Sequence, residues 1–366
     1  MDTTLSPEIH EVIDAIHYRP ALSLILPLEP HISLKTETAH IVKIAADNAE
    51  REMRRYYPEE QCQLIMRKLQ SLTADLDIPA KKKGMAIYIS PVFERVLYLD
   101  CPVTQQIIVD ESFEIRDLLY NAKQDIKFLL LLLTGQESRF FLGDAVGLTP
   151  LPARMAGSIE TEERDMPERI SNFSDMTEHK RVTARKFLAH IDHELGDLVG
   201  EHQLPVLVLG TGGILGEFRK QSKYTASVIG YVSGNYDNTS MAALTELIEP
   251  HLDAWKITRQ QQWIEQVEEA ADQFRLAVGI REVWQAASEG KGKLLIVEKS
   301  YRFPAQHGVE PGTIEALTEP YNHFSYIRDA VDDVLEKVLG SGGDVVFTED
   351  GALGRFGQVA LIKYYE

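Results

Sequence analysis

Apolar positions in the first 123 residues change period several times. Leu22-Ser23-Leu24-Ile25-Leu26 is a β-type run stopped by Pro27. From Thr36 to Tyr57 the period turns helical. Ile41, Ile44, Ala45, Ala49 and Met53 share one face there, and Glu50, Arg51, Arg54 and Arg55 lie mostly on the other. Residues 84–90 and 95–99 read as strands around a turn at Pro91, 106–109 as a third strand, and 113–122 as a closing helix.

The middle segment opens with Phe128–Leu133, the longest apolar run, bounded by Lys127 and Gly135. It is far shorter than the roughly 20 residues a membrane-spanning helix needs, so it predicts a buried strand. Residues 139–142 supply a partner strand. A polar stretch from 143 to 177 follows, with Pro150, Pro152, Pro167 and many carboxylates but little periodicity. Loops of that length are uncommon in compact domains, and are usually functional or disordered. A helix from Thr177 to about Gly200, a strand at 204–209, a tight turn at 210–213, a short helix at 214–220 and an extended segment at 226–232 complete the pattern. Such alternation predicts a parallel or mixed sheet with crossover helices.

The last segment predicts a long helix from Met241 to about Phe274 and a second at 279–289. A buried strand at 294–297, a Pro/Gly-rich connection, a helix at 327–339 and final strands at 345–347 and 358–364 follow. The expected fold class is α/β, in three units at 1–123, 124–240 and 241–366. No internal repeat or low-complexity tract interrupts them.

Composition narrows the function classes. The chain has 366 residues, 44% hydrophobic and 26% charged, which is globular usage and enough for two or three domains. Its net charge of −18 argues against avid non-specific nucleic-acid binding, because neutralising phosphates calls for a basic face. Any such face must be local. The start, Met1-Asp2-Thr3-Thr4, shows no secretory pattern. Two cysteines, Cys62 and Cys101, suggest neither a disulfide framework nor a thiolate metal site. The expectation is a soluble, cytoplasmic protein with no membrane partner and no cofactor.

The C-terminal phrases carry a resemblance. "GIREVWQAASEGK" precedes "LLIVE", and "AVDDVLEKVLGSGGDVVF" precedes "GALGRFGQVALIKYY". They resemble the last domain of archaeo-eukaryotic class-1 release factors and Pelota, an α/β/α layer fold shared with kink-turn-binding ribosomal proteins. "LPVLVLGTGGILGEFRK" is similar to the central domain of those proteins, and "GMAIYISPVFERVLYLDCPV" to the N-terminal part of bacterial members of the superfamily. Active members carry Gly-Gly-Gln in the central domain, where two glycines permit backbone angles closed to other residues. In this chain Gly212-Gly213 is followed by Ile214, and Gly342-Gly343 by Asp344. The stretch where the tripeptide belongs, 143–177, contains no glutamine, and it carries Glu160, Glu162, Glu163, Asp165 and Glu168. Acidic residues there would be repelled by ribosomal RNA. The resemblance therefore implies a divergent release-factor-like protein that does not hydrolyse peptidyl-tRNA by the usual route.

Candidate chemistry is sparse. Gly210-Thr211-Gly212-Gly213, after a strand and before a helix, invites an anion site. The dinucleotide spacing fails at Leu215 and no P-loop lysine follows, so a plain tight turn is the simpler reading. Lys180, Arg181, Arg185 and Lys186 occupy successive turns of one helix, and Arg219, Lys220 and Lys223 could extend that patch. The functional reading is RNA contact; the plain one is a solvated helix. Lys81-Lys82-Lys83 is a lone charge run. His190 and His193, with Glu194, lack the zinc-hydrolase spacing and a third ligand, so no metal is expected. Partners consistent with these residues are the ribosome or structured RNA, or a translation-related protein. Two other classes stay open: a hydrolase acting on nucleic acid or nucleotide, and a protein-interaction scaffold recruiting a basic partner through the acidic stretch around residues 160–168.

Overall fold

The computed structural model describes residues 7–15, 20–28, 35–74, 76, 79, 82–100, 102–110, 112–124, 126–134, 138–144, 147–152, 173–310, 312–317 and 326–365, with the side chains of 35–39, 124 and 173–181 outside that set. The N-terminal segment runs α1 (Pro7–Ile13), β1 (Ala21–Pro27), α2 (Lys35–Tyr56), α3 (Glu59–Ala74), β2 (Gly84–Ile89), β3 (Glu94–Leu99), β4 (Gln106–Asp110) and α4 (Arg116–Gln124). Its antiparallel sheet has the order β3-β2-β1-β4. The central strand β1 is covered on both faces. Leu22, Leu24 and Leu26 pack with Ala45, Met53, Ile65 and other residues of α2 and α3. Ala21 and Ile25 point the other way, into a core with Val12, Leu118 and Leu119. Two-sided burial explains why β1 reads as a continuous apolar run rather than an alternating one.

The helix expected from residue 113 begins at Arg116 instead. Phe113, Glu114 and Ile115 are buried but belong to no helix or strand. The cap is not local: Asp332 Oδ1, more than 200 residues away, accepts from the backbone N–H of Ile115 (3.3 Å) and Arg116 (3.1 Å). In helix α3, Cys62, Ile65, Met66 and Leu69 recur at helical spacing and are buried.

The middle segment comprises β5 (Phe128–Leu133), β6 (Ser138–Gly143), β7 (Leu148–Pro150), α5 (Phe173–His202), β8 (Val206–Gly210), α6 (Gly212–Gln221) and β9 (Val228–Ser233), leading into α7 (Met241–Asp272). The sheet order is β7-β6-β5-β8-β9. β5, β8 and β9 are parallel and β6 and β7 antiparallel, so the sheet is mixed, as expected. Helices α5 and α6 cover one face through Phe187, Ile191, Leu195, Leu215 and Phe218. The first turns of α7 cover the other through Leu244 and Ile248. Two crossovers stepping the same way along a sheet place their helices on the same face when both are right-handed.

The C-terminal segment adds β10 (Leu276–Val278), α8 (Gly279–Ser288), β11 (Gly292–Glu298), β12 (Ala305–His307), β13 (Ile314–Ala316), β14 (Tyr326–Ile327), α9 (Ala330–Gly340), β15 (Asp344–Thr348) and β16 (Val359–Lys363). The main sheet, β10-β16-β11-β15, lies between α8 and α9 on one face and the last turns of α7 on the other. This is the expected α/β/α layering. The helix expected at 327–339 starts at Ala330, because Asp329 is its N-cap and accepts from Val331 N. A small sheet, β13-β12-β14, forms within the Pro/Gly-rich connection. Phe356 lies in a 3₁₀ turn followed by Gly357 at φ 68°.

The chain divides into two compact units, residues 125–259 and the pair of terminal segments 2–124 and 260–366. Within the second unit the two segments share one hydrophobic core, in which Tyr88, Phe113 and Leu119 join Val283, Val334 and Phe347. A buried polar cluster adds to this. Arg116 is 2% exposed, and its guanidinium donates to Asp329 Oδ2 (2.6 Å) and to the Tyr301 carbonyl (2.5 Å). Ser23, the one polar residue of β1, is buried because its Oγ accepts from Glu114 N at 3.0 Å. Lys123 and Asp344 make a further tie at 2.6 Å.

Candidate functional site

Five of the seven candidate RNA-contact cations have described side chains, and all five are exposed. Arg185 and Lys186 lie on α5. Arg219 and Lys220 are in the last turn of α6, and Lys223 follows just after it. Since α5 and α6 cover the same sheet face, these cations belong to one helical layer of the middle unit. Arg219 stacks over Tyr231, its guanidinium carbon 4.1 Å from the ring centroid, and Lys220 pairs with Glu217 at 2.8 Å. The Lys223 backbone N–H donates to the buried Asp192 (3.2 Å), which fixes the chain where it leaves α6. Lys180 and Arg181 fall within α5, but their side chains lie outside the described set, as do residues 153–172 of the acidic stretch.

The glycine-rich turn is a strand-to-helix connection. Thr211 is the N-cap of α6 without a side-chain cap bond. None of Gly210, Gly212 and Gly213 has a positive φ. Gly210 is required for another reason: a Cβ there would stand 2.7 Å from the Leu133 carbonyl oxygen. Gly210→Ala should therefore destabilise the middle unit by about 1–3 kcal/mol through overpacking, measurable as a lower urea midpoint. Gly213→Ala, which meets nothing within 4 Å, should be nearly neutral.

The other sequence candidates are dispersed. Lys82 is held by Asp100 at 2.8 Å, so the lysine run is not a bare charge cluster; Lys81 is outside the described residues. His190 and His193 lie on α5, and among the described residues no three His, Cys, Asp or Glu side chains could hold a metal ion.

The terminal unit holds a cleft of about 780 Å³ that the sequence did not reveal. Its walls include Asp14, Asp110, His307, Asp333, Glu336 and Lys337. Burial pushes the Asp333 carboxyl up to about 7; Lys337 opposes this, and Asp110, Glu336 and Asp329 add to it. Lys337 Nζ sits 4.2 Å from the Trp284 ring centroid, and that ring meets His307 at 6.3 Å. An unfolded aspartate titrates near ~3.9, so the folded state binds the extra proton between about pH 4 and pH 7. The stabilisation is full below that window and is lost as pH rises through about 7. Asp333→Asn should leave the melting temperature near its wild-type value at pH 4 and raise it at pH 8, on the order of 5 °C or more. An equal shift at both pH values would contradict this assignment.

Residues 127–291 match the model of bacterial archaeo-eukaryotic release factor family 3. This part of the chain is similar to that family. The matched span contains all of β5 to β9 and continues through α8, so the release-factor likeness read from the sequence is correct there. Among solved structures, the archaeal translation termination factor aRF1 is 13% identical over 100% of both chains, with a TM-score of 0.26. Archaeal Pelota, from a model of its ribosome-bound complex with ABCE1, is 13% identical over 98% of this chain and 93% of its own, at 0.44. Dom34 of S. cerevisiae, a translation termination-like factor interacting with Hbs1, is 12% identical over 81% and 77%, at 0.41. The search of curated proteins found no match. No described helix is long and apolar enough to cross a membrane.

Proposed function

We propose that this release-factor-like chain is a ribosome-associated factor that docks on RNA through the cationic layer of its middle unit and does not release peptide. The observation that carries this reading is the exposure of Arg185, Lys186, Arg219, Lys220 and Lys223 on one helical layer of the segment that matches the family. Against a net charge of −18 that layer is a local site for phosphates, suited to docking on a large RNA rather than coating it. Stacking of Arg219 on Tyr231 holds one of these cations in place. The missing Gly-Gly-Gln supports a role without peptidyl-tRNA hydrolysis. Pelleting with purified ribosomes at low salt tests the proposal. The protein is expected in the pellet, with no peptide released from peptidyl-tRNA. A chain that stays in the supernatant at every salt concentration overturns the docking reading, and peptide release overturns the non-catalytic one.

A further inference from the structure

We propose that the cleft at the C-terminal ends of α8 and α9 binds alkylammonium groups, as a linear polyamine would present them, among its carboxylates. Three observations converge on it. Both helices end at the cleft: Ser288 and Gly290 line it from α8, and Gly340 and Ser341 from α9. The two ends are adjacent, since a Cβ on Gly290 would lie 4.0 Å from Ser341 Cβ. Each helix C-terminus carries roughly half a negative charge, so their convergence favours a cation.

The side chains add to that field. Asp14, Asp110, Asp333 and Glu336 stand against Arg328, Lys337 and His307. Lys337, which lines the cleft, already has its own ammonium against the ring of the buried Trp284. Size and geometry select the cation. A volume of about 780 Å³ is that of a small-molecule site. The described acids form no group able to hold a metal ion. Carboxylates spread along a wall suit an extended organic cation better than a compact inorganic one.

Asp333 makes the inference measurable. It faces Lys337 and Glu336 on its own helix, Asp329 at the helix start and Asp110 from β4, and burial keeps its proton on up to about pH 7. A cation arriving beside it would displace that proton. Calorimetric titration of the whole chain with spermidine at pH 7, in two buffers of different ionisation enthalpy, should show saturable binding with release of about half a proton. Asp333→Asn, which removes a buried carboxylate and should fold normally, is expected to abolish the proton release and weaken binding by about tenfold. A tri-lysine peptide distinguishes the source: if it competes with spermidine, binds tighter and releases the same proton, the ammonium belongs to a partner's lysine. Absent binding overturns the proposal. So does unsaturable binding that Asp333→Asn leaves unchanged, which would be general attraction to an acidic chain. None of these outcomes depends on the ribosome reading, because every residue involved lies in the terminal unit.

Discussion

Arg116→Ala is expected to destabilise the unit formed by the terminal segments by about 3–5 kcal/mol, the usual cost of stranding the partner of a buried ion pair. The site meets that condition closely. Arg116 and Asp329 are 2% and 4% exposed as side chains and 2.6 Å apart, and Asp329 also caps α9. Glu114, 3.9 Å from Arg116 Nε, would keep only the half-exposed Arg302 at 3.5 Å. Urea unfolding followed by tryptophan fluorescence in a Trp255→Phe background isolates the effect, since Trp263 and Trp284 lie in the terminal unit. The double variant Arg116→Met with Asp329→Asn should recover part of the stability, because it strands less charge. The pH dependence has a definite sign. Burial raises the carboxyls of Glu114 and Asp332 above their ordinary range, and Arg116 pulls both back down. Without it they hold protons more firmly, so the destabilisation should grow as pH rises and shrink in acid. An unchanged midpoint would mean that the shared hydrophobic core alone joins the two segments.

The second large effect concerns the cationic layer. Reversing Arg185, Lys186, Arg219, Lys220 and Lys223 to Glu should remove most ribosome association while leaving the unfolding midpoint of the middle unit near wild type. All five side chains are exposed, so the change adds little desolvation or packing cost. If each cation meets one phosphate, the logarithmic salt dependence of binding should flatten by about 0.7–0.9 for every cation reversed. Lys220 is expected to contribute least, because Glu217 already competes for it. Reversing Lys82, which Asp100 neutralises, is the matched control and should leave binding unchanged.

The sheets and the two-sided helical layers were legible because their signals are local. β5 and β8 are uninterrupted apolar runs, and α8 carries Ile280, Val283, Trp284 and Ala287 at helical spacing. What could not be read depends on residues distant in the chain. The start of α4 is set by Asp332, the burial of Ser23 by the Glu114 amide, and the merger of the terminal segments by Arg116 reaching Asp329. The cleft was hidden for the same reason, since Asp14 and Asp110 meet Asp333 only once the first and last segments share a core. Asp329 could have been found, for an aspartate before Ala330-Val331 is an N-cap signal. The basic candidates were visible as letters, but only the packing of α5 beside α6 places them in one layer.

The most direct measurement is therefore ribosome pelleting of the wild-type and five-fold reversed chains across a salt series from ~50 to ~200 mM, where phosphate-mediated binding falls steeply. The account expects wild type to pellet at low salt and to be released as salt rises, with the reversed chain largely in the supernatant throughout. Equal pelleting of the two chains at every salt concentration would contradict it.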